Sequence, residues 1–273
     1  GFYDPRTLVG RSMPSERTPE SELTEQDEER EADDEPVRRS LLNFANTDLA
    51  FAGDVLFEGN YHGFSTYRIE VPASPQLVSS VVCPGGQGDV SVVGDLLIMS
   101  VEQTRGRLDC GLQGVAEPVS EARFRGIRIF DISDLRLPRQ LAAVQTCRGS
   151  HTHTVVTDPD DEGNIYVYGS GTSSVRPGDE LEGCSDESPS EDPNTALFRI
   201  DVIQIPLTRP EEARIVGRPY IFRDPGSGAI AGLWKGGDHG PGTQSTRQTS
   251  QCHDITAYPE MGLAAGACSG NGI

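Results

Sequence analysis

Residues 124–147 read FRGIRIFDISDLRLPRQLAAVQTC, and this stretch decides the fold. From Ile127 to Ile132 the chain is rich in β-branched and aromatic residues. A polar turn and Pro138 follow, and a second apolar run begins at Leu141. Two short strands about a turn is the plain reading. The same order recurs in GFSTYRIEVPASPQLVSSVVC (63–83) and, longer, in TALFRIDVIQIPLTRPEEARIVGRPYIF (195–222). The shared centre is an apolar residue, an acid and a β-branched residue: Ile69-Glu70-Val71, Phe130-Asp131-Ile132 and Ile200-Asp201-Val202. Pro75, Pro138 and Pro210 lie a few residues on.

A second hairpin precedes each later copy. GDVSVVGDLLIMSVEQ (88–103) is two short strands about Gly-Asp. HTVVTDPDDEGNIYVYGSG (153–171) has a longer acidic turn, and HDITAYPEMGLAAGACSGNG (253–272) turns through Tyr-Pro-Glu-Met. NTDLAFAGDVLFEGNYHG (46–63) is the most divergent copy. Two hairpins in series make a four-stranded antiparallel sheet with both faces partly apolar. Such a sheet gains stability by stacking on its neighbours, and repetition about an axis gives an all-β β-propeller. The expected blades are 41–82, 83–146, 147–222 and a partial fourth, 251–273, about three and a half in all. Insertions at 104–123, 172–194 and 223–250 read as surface loops. A propeller closes with four or more blades, so the remainder is expected beyond this stretch of chain or from another chain.

GIRIFDIS together with GDVSVVGDLLIMS resembles the LVIVD-repeat β-propellers, bacterial proteins mostly exported or surface-associated. The resemblance spans roughly residues 45–273. It implies fold and carries no catalytic residue with it.

Composition agrees with short strands and many turns. The 273 residues include 31 glycines and 19 prolines. Lys+Arg 23 against Asp+Glu 42 gives a net charge of −19, a surface that repels phosphate backbones and argues against nucleic acid as partner. No apolar run approaches the ~18 residues of a membrane-spanning helix. Residues 16–35 hold eleven acids and two bases, with Leu23 the single aliphatic residue beyond alanine. Residues 1–40 therefore read as an acidic disordered tail. The opening GFYDPRTLVG has neither the basic nor the apolar region of a signal peptide, and it begins without Met, as after removal of a leader or in a fragment.

The six cysteines form no Cys-x-x-Cys pair, which leaves disulfides in an oxidising compartment or buried free thiols. Cys83, Cys147 and Cys252 each sit just before an innermost strand; Cys110, Cys184 and Cys268 each follow the second strand of the same blade. A hairpin returns to the rim it left, so the expected bonds are Cys83–Cys110, Cys147–Cys184 and Cys252–Cys268. An extracellular, cell-surface or periplasmic location follows.

Loops from several blades converge where the innermost strands begin, so function is sought there. Ser150-His151-Thr152-His153 opens the third blade and Gln251-Cys252-His253-Asp254 the fourth, with His239 in the preceding loop. On a strand, period 2 places His151 and His153 on one face. With His253, Asp89 and His239 they are candidate ligands for Zn, Cu or Fe. The alternative is a set of polar plugs in a wet axial channel. Asp158–Glu162 and Asp186-Glu187 are candidate Ca ligands without EF-hand spacing, so solvated loops compete with that reading. GSGTSS (169–174) lacks the Gly-Lys-Ser/Thr of a phosphate loop. The only tryptophan, Trp234, lies in a Gly-rich insertion that reads as a lid or as rim packing. Two functions remain: a binding module for a protein, glycan or surface component, and a metal-dependent enzyme with a His-lined axial site.

Overall fold

The computed structural model describes residues 46–221, 223–224, 226–228, 237–238, 240–242, 245–246, 250–268 and 271–272. The acidic tail, Trp234 and His239 lie outside the described residues. The described chain is all-β apart from short 3-10 turns such as Pro210–Glu212 and Pro259–Met261.

Sheet 1 runs β1 (Asn46–Ala52), β2 (Val55–Asn60), β3 (Gly63–Arg68) and β4 (Gln76–Val82). Sheet 2 runs β5 (Val90–Val93), β6 (Leu96–Val101), β7 (Gly126–Asp131) and β8 (Arg139–Gln145). Sheet 3 runs β9 (Thr154–Thr157), β10 (Asn164–Gly169), β11 (Asp201–Pro206) and β12 (Arg214–Gly217). A two-stranded pair follows, β13 (Gly237–Asp238) with β14 (Ser245–Thr246). Sheet 4 has three described strands, β15 (Cys252–Tyr258), β16 (Leu263–Cys268) and β17 (Asn271–Gly272). All neighbouring strands are antiparallel.

The sheets stack in chain order. Val55, Phe57 and Phe64 of sheet 1 pack against Leu97, Met99 and Phe130 of sheet 2. The Phe64 and Phe130 rings meet edge to face with centroids 5.1 Å apart. On its other side sheet 2 packs Ile98, Ile127 and Ile129 against Ile165, Ile203 and Ile205 of sheet 3. Sheet 2 is thus covered on both faces. This explains why β6 reads LLIMSV, nearly all apolar and buried at all six positions. β2, in the first of the described sheets, alternates buried and half-buried.

The register corrects the alignment of the hairpins. Ile69, Ile132 and Leu207 each donate a backbone N–H to the turn of the preceding hairpin, at Asp54, Asp95 and Gly163, over 2.8, 2.9 and 3.0 Å. These three residues are therefore equivalent. Tyr67-Arg68-Ile69 and Ile205-Pro206-Leu207 are the true counterparts of Phe130-Asp131-Ile132. Ile69-Glu70-Val71 is displaced by two residues, and Ile200-Asp201-Val202 lies at the opposite end of its strand. The reason is that β-branched residues next to acids recur at both ends of strands. Cross-strand hydrogen bonds fix the register, and composition does not. A firmer marker is glycine. Gly63 and Gly126 open β3 and β7 with φ of 141° and 144°, and a Cβ at either would strike the carbonyl of Val81 or Val144.

Candidate functional site

The first strands of the sheets are joined in series. β1 lies beside β5, and β9 beside β15. Polar side chains make the links. Asp48 accepts the N–H of Val90 at 2.9 Å, and Asp89 accepts the N–H of His153 at 2.8 Å. Thr152 and Thr154 donate their hydroxyls to the carbonyls of His253 and Ile255. Asp48 stands at the same repeat position as Asp89, and that equivalence is the signal by which sequence reasoning had access to it.

His153 is the centre of this chain. Its side chain is fully buried, with Nδ1 2.7 Å from Asp89 Oδ2. Ser100 Oγ lies 2.8 Å from the same nitrogen and 3.0 Å from Ser150 Oγ. Nε2 is buried without a hydrogen-bond partner. A Ser–His–Asp relay needs acid and nucleophile on opposite ring nitrogens. Here both address Nδ1, so Ser100 is not an activated nucleophile. The Asp48 and Asp89 carboxyls also touch. Burial pushes Asp48 above the ordinary aspartate value, and the charge of Asp89 adds to the rise. Burial alone would raise Asp89 too, but the hydrogen bonds and charge of His153 outweigh it and hold Asp89 below that value.

The sign of the pH dependence follows. A carboxyl lowered in the folded state adds stability above its unfolded value, 3.8 for Asp89, and that stability is lost as pH falls through the folded value. Asp89→Asn is therefore expected to cost roughly 1–3 kcal/mol at pH 7. Its difference from wild type should shrink towards pH 3. Urea unfolding of both proteins across that range checks this; a difference that grows in acid contradicts it.

His151 and His253 form a separate group at the rim. His151 Nδ1 lies 2.7 Å from Glu102 Oε1, and Thr172 donates to Glu102 Oε2 at 3.0 Å. The His151 and His253 rings are 4.6 Å apart at their centroids, and His253 is exposed. The expected metal set thus divides into His153 with Asp89 and His151 with His253. Strand β9 begins only at Thr154, so His151 and His153 precede it and strand alternation does not align them. Among the described residues no three His, Cys, Asp or Glu are grouped to hold a metal ion. In the candidate Ca loop, Asp161 is engaged by Asn164 at 2.9 Å and Tyr166 at 2.6 Å, and Asp158 caps the N–H of Asp160.

Beneath the rim lies a buried cluster that the sequence did not announce. Glu180 bridges Arg123 at 2.9 Å and Arg176 at 2.6 Å, with its side chain 1% exposed. It also accepts the N–H of Ser120 at 2.8 Å. Arg125 donates to the Ser174 carbonyl at 2.7 Å, and Arg148 to the Ser173 carbonyl at 2.8 Å. Burial and repulsion from Arg123 and Arg176 push Arg125 down to about 10. The polar GSGTSS segment is thus stitched to sheets 2 and 3 by arginines and Glu102.

The cysteines are paired Cys83–Cys110, Cys147–Cys184 and Cys252–Cys268. Cys83 and Cys147 lie before β5 and β9, and Cys110 and Cys184 after β6 and β10, while Cys252 and Cys268 are the first residue of β15 and the last of β16. By strand register those points lie at one end of the sheets. In the described residues no helix is long and apolar enough to cross a membrane. A scan of protein-family models and a search of curated proteins return no match for this chain.

Proposed function

We propose that the sheets are blades of a β-propeller of the LVIVD-repeat kind. We propose further that the chain is an exported binding module, acting at the cell surface or in the periplasm on a protein, glycan or other surface component. The observation that carries this reading is the rigidity of one rim. Three disulfides and the Arg123–Glu180–Arg176 cluster all fasten loops at the ends where first strands begin. A preorganised loop face loses little freedom on binding, which is what a recognition surface requires. His253, exposed, and His151, half-buried against it with the two ring planes tilted by 60°, offer an angled aromatic platform with the Glu102 carboxylate behind. Such a platform stacks on sugar rings or aromatic side chains and donates hydrogen bonds to their oxygens. The negative charge of −19 directs partner choice away from polyanions.

The alternative, a metal-dependent enzyme with a His-lined site, has one feature in its favour, the unpartnered buried Nε2 of His153. Metal analysis of protein purified without chelators separates the two. The binding reading expects no stoichiometric transition metal. A stoichiometric metal that His153→Ala abolishes would overturn it in favour of the enzyme.

A further inference from the structure

Charge runs in opposite senses inside and outside this chain. Acids outnumber bases by 42 to 23 in the sequence. Among the described residues, however, Arg123, Arg125, Arg128, Arg148, Arg176 and Arg199 are buried, and the acids buried with them are Asp201 and Glu180. A buried guanidinium stays protonated, so each needs compensation close by. Arg123 and Arg176 place Nε on the Glu180 carboxylate at 2.9 and 2.6 Å. Arg199 faces Asp201 at 3.4 Å. Arg128 donates to the Leu108 carbonyl and the Gln140 side chain and lies over the Phe124 ring. Arg148 donates to the carbonyls of Ser173 and Ser250.

Arg125 differs from the rest. It is 4% exposed. Among the described residues its hydrogen bonds all leave from Nη1, to Ser173 Oγ at 3.2 Å and to the carbonyl and Oγ of Ser174 at 2.7 and 3.5 Å. Nε is buried with no hydrogen-bond partner. The Nε–Nη2 edge is the one with which a guanidinium takes both oxygens of a carboxylate. Arg107 uses it so on Asp109, with both bonds at 2.7 Å. In Arg125 that edge holds no carboxylate, while Arg123 and Arg176 repel the charge and Glu180 alone attracts it. At about 10, the guanidinium still keeps its charge at neutral pH. The cover above it is thin. Ser173 is half-buried and Ser174 exposed, so a small ion reaches Arg125 past one residue. Both hydroxyls can rotate to donate to such an ion.

We infer that Arg125, with Ser173 and Ser174, forms a site for a single oxyanion group, a sulfate, phosphate or carboxylate held on the Nε–Nη2 edge at the base of the rim. The inference goes beyond the proposed binding function and does not depend on the His151–His253 platform. The bound anion supplies the counterion that Glu180, shared by Arg123 and Arg176, does not. It also ties the GSGTSS loop down from a second side. A polyanion would meet the −19 of the whole chain, so the site suits one small group and not a charged polymer.

Isothermal titration calorimetry on the full chain at pH 7 tests this. The probes are sodium sulfate and sodium phosphate as free ions, and sodium acetate and glucuronate as carboxylates, each against sodium chloride at equal ionic strength. The expected result is saturable binding of one equivalent per chain. Binding of the inorganic ions alone assigns the site to a free anion; tighter binding of glucuronate assigns it to the acidic group of a sugar. Arg125→Gln should weaken binding at least about tenfold, and so should Arg125→Lys, which keeps the charge and loses the fork. Circular dichroism confirms that both variants fold. In the wild-type chain the same anion should raise the urea midpoint saturably, a reading that needs no variant. Absence of saturable binding by every probe would overturn the inference, as would binding that either variant retains in full. Either result leaves the ligand reading of the rim intact, and failure of that reading leaves this site untouched.

Discussion

Reduction of the three disulfides is expected to unfold the chain at physiological temperature. The bonds close loops with separations of 27, 37 and 16 residues. Chain-entropy arguments give roughly 3–4 kcal/mol for each loop of this length. Together that is of order 10 kcal/mol, against a typical domain stability of about 5–15 kcal/mol. Near-UV circular dichroism and thermal melts with and without reductant read the effect. Loss of the cooperative transition is the expected outcome; an unshifted midpoint with thiols shown to be free would contradict it. The functional consequence would be that the rim keeps its shape only where the disulfides persist, because reduced protein would release its loops.

The second large effect is expected at Glu180. Its carboxylate is the shared counterion of Arg123 and Arg176, and all three side chains are 7% exposed or less. Removing one partner of a buried ion pair typically costs about 3–5 kcal/mol, because the remaining charge stays buried without compensation. Glu180→Gln keeps the shape and removes the charge, leaving Arg123, Arg125 and Arg176 to repel one another. We expect a loss of that size in urea unfolding. We also expect strong non-additivity with Cys147→Ser/Cys184→Ser, since Cys184 and Glu180 anchor the same loop. A loss below about 1 kcal/mol would mean the cluster is solvated rather than buried.

These two features differ in how far they were legible beforehand. The strands were readable because β-branched runs, Gly-Asp turns and prolines are local signals. The cysteine pairs followed from strand order alone. The Glu180 cluster was not readable. Arg123 lies 57 residues from Glu180, and nothing in either neighbourhood marks a buried charge. The same limit explains the histidines. Their places before the third and fourth sheets were visible, but whether they point at one another depends on where strand β9 begins. That is set by its pairing with β10 from Thr154 onward. Asp48 was within reach, as the first-copy counterpart of Asp89, yet the acidic composition of the chain hid one more aspartate. The succession of antiparallel hairpins was legible in outline and their alignment was wrong in register, because residues flanking a strand resemble one another at its two ends.

The account stands on the rim around His151 and His253 being the ligand face. Binding of the protein to an array of glycans and surface peptides tests it most directly, using two variants alongside wild type. His151→Ala/His253→Ala alters the rim. Asp160→Ala/Glu260→Ala alters exposed turns at the opposite end of sheets 3 and 4. The account predicts a bound class of ligand whose signal falls at least about tenfold in the rim variant, a loss of ~1.4 kcal/mol or more, and is unchanged in the turn variant. Binding retained by the rim variant and lost by the turn variant would contradict it.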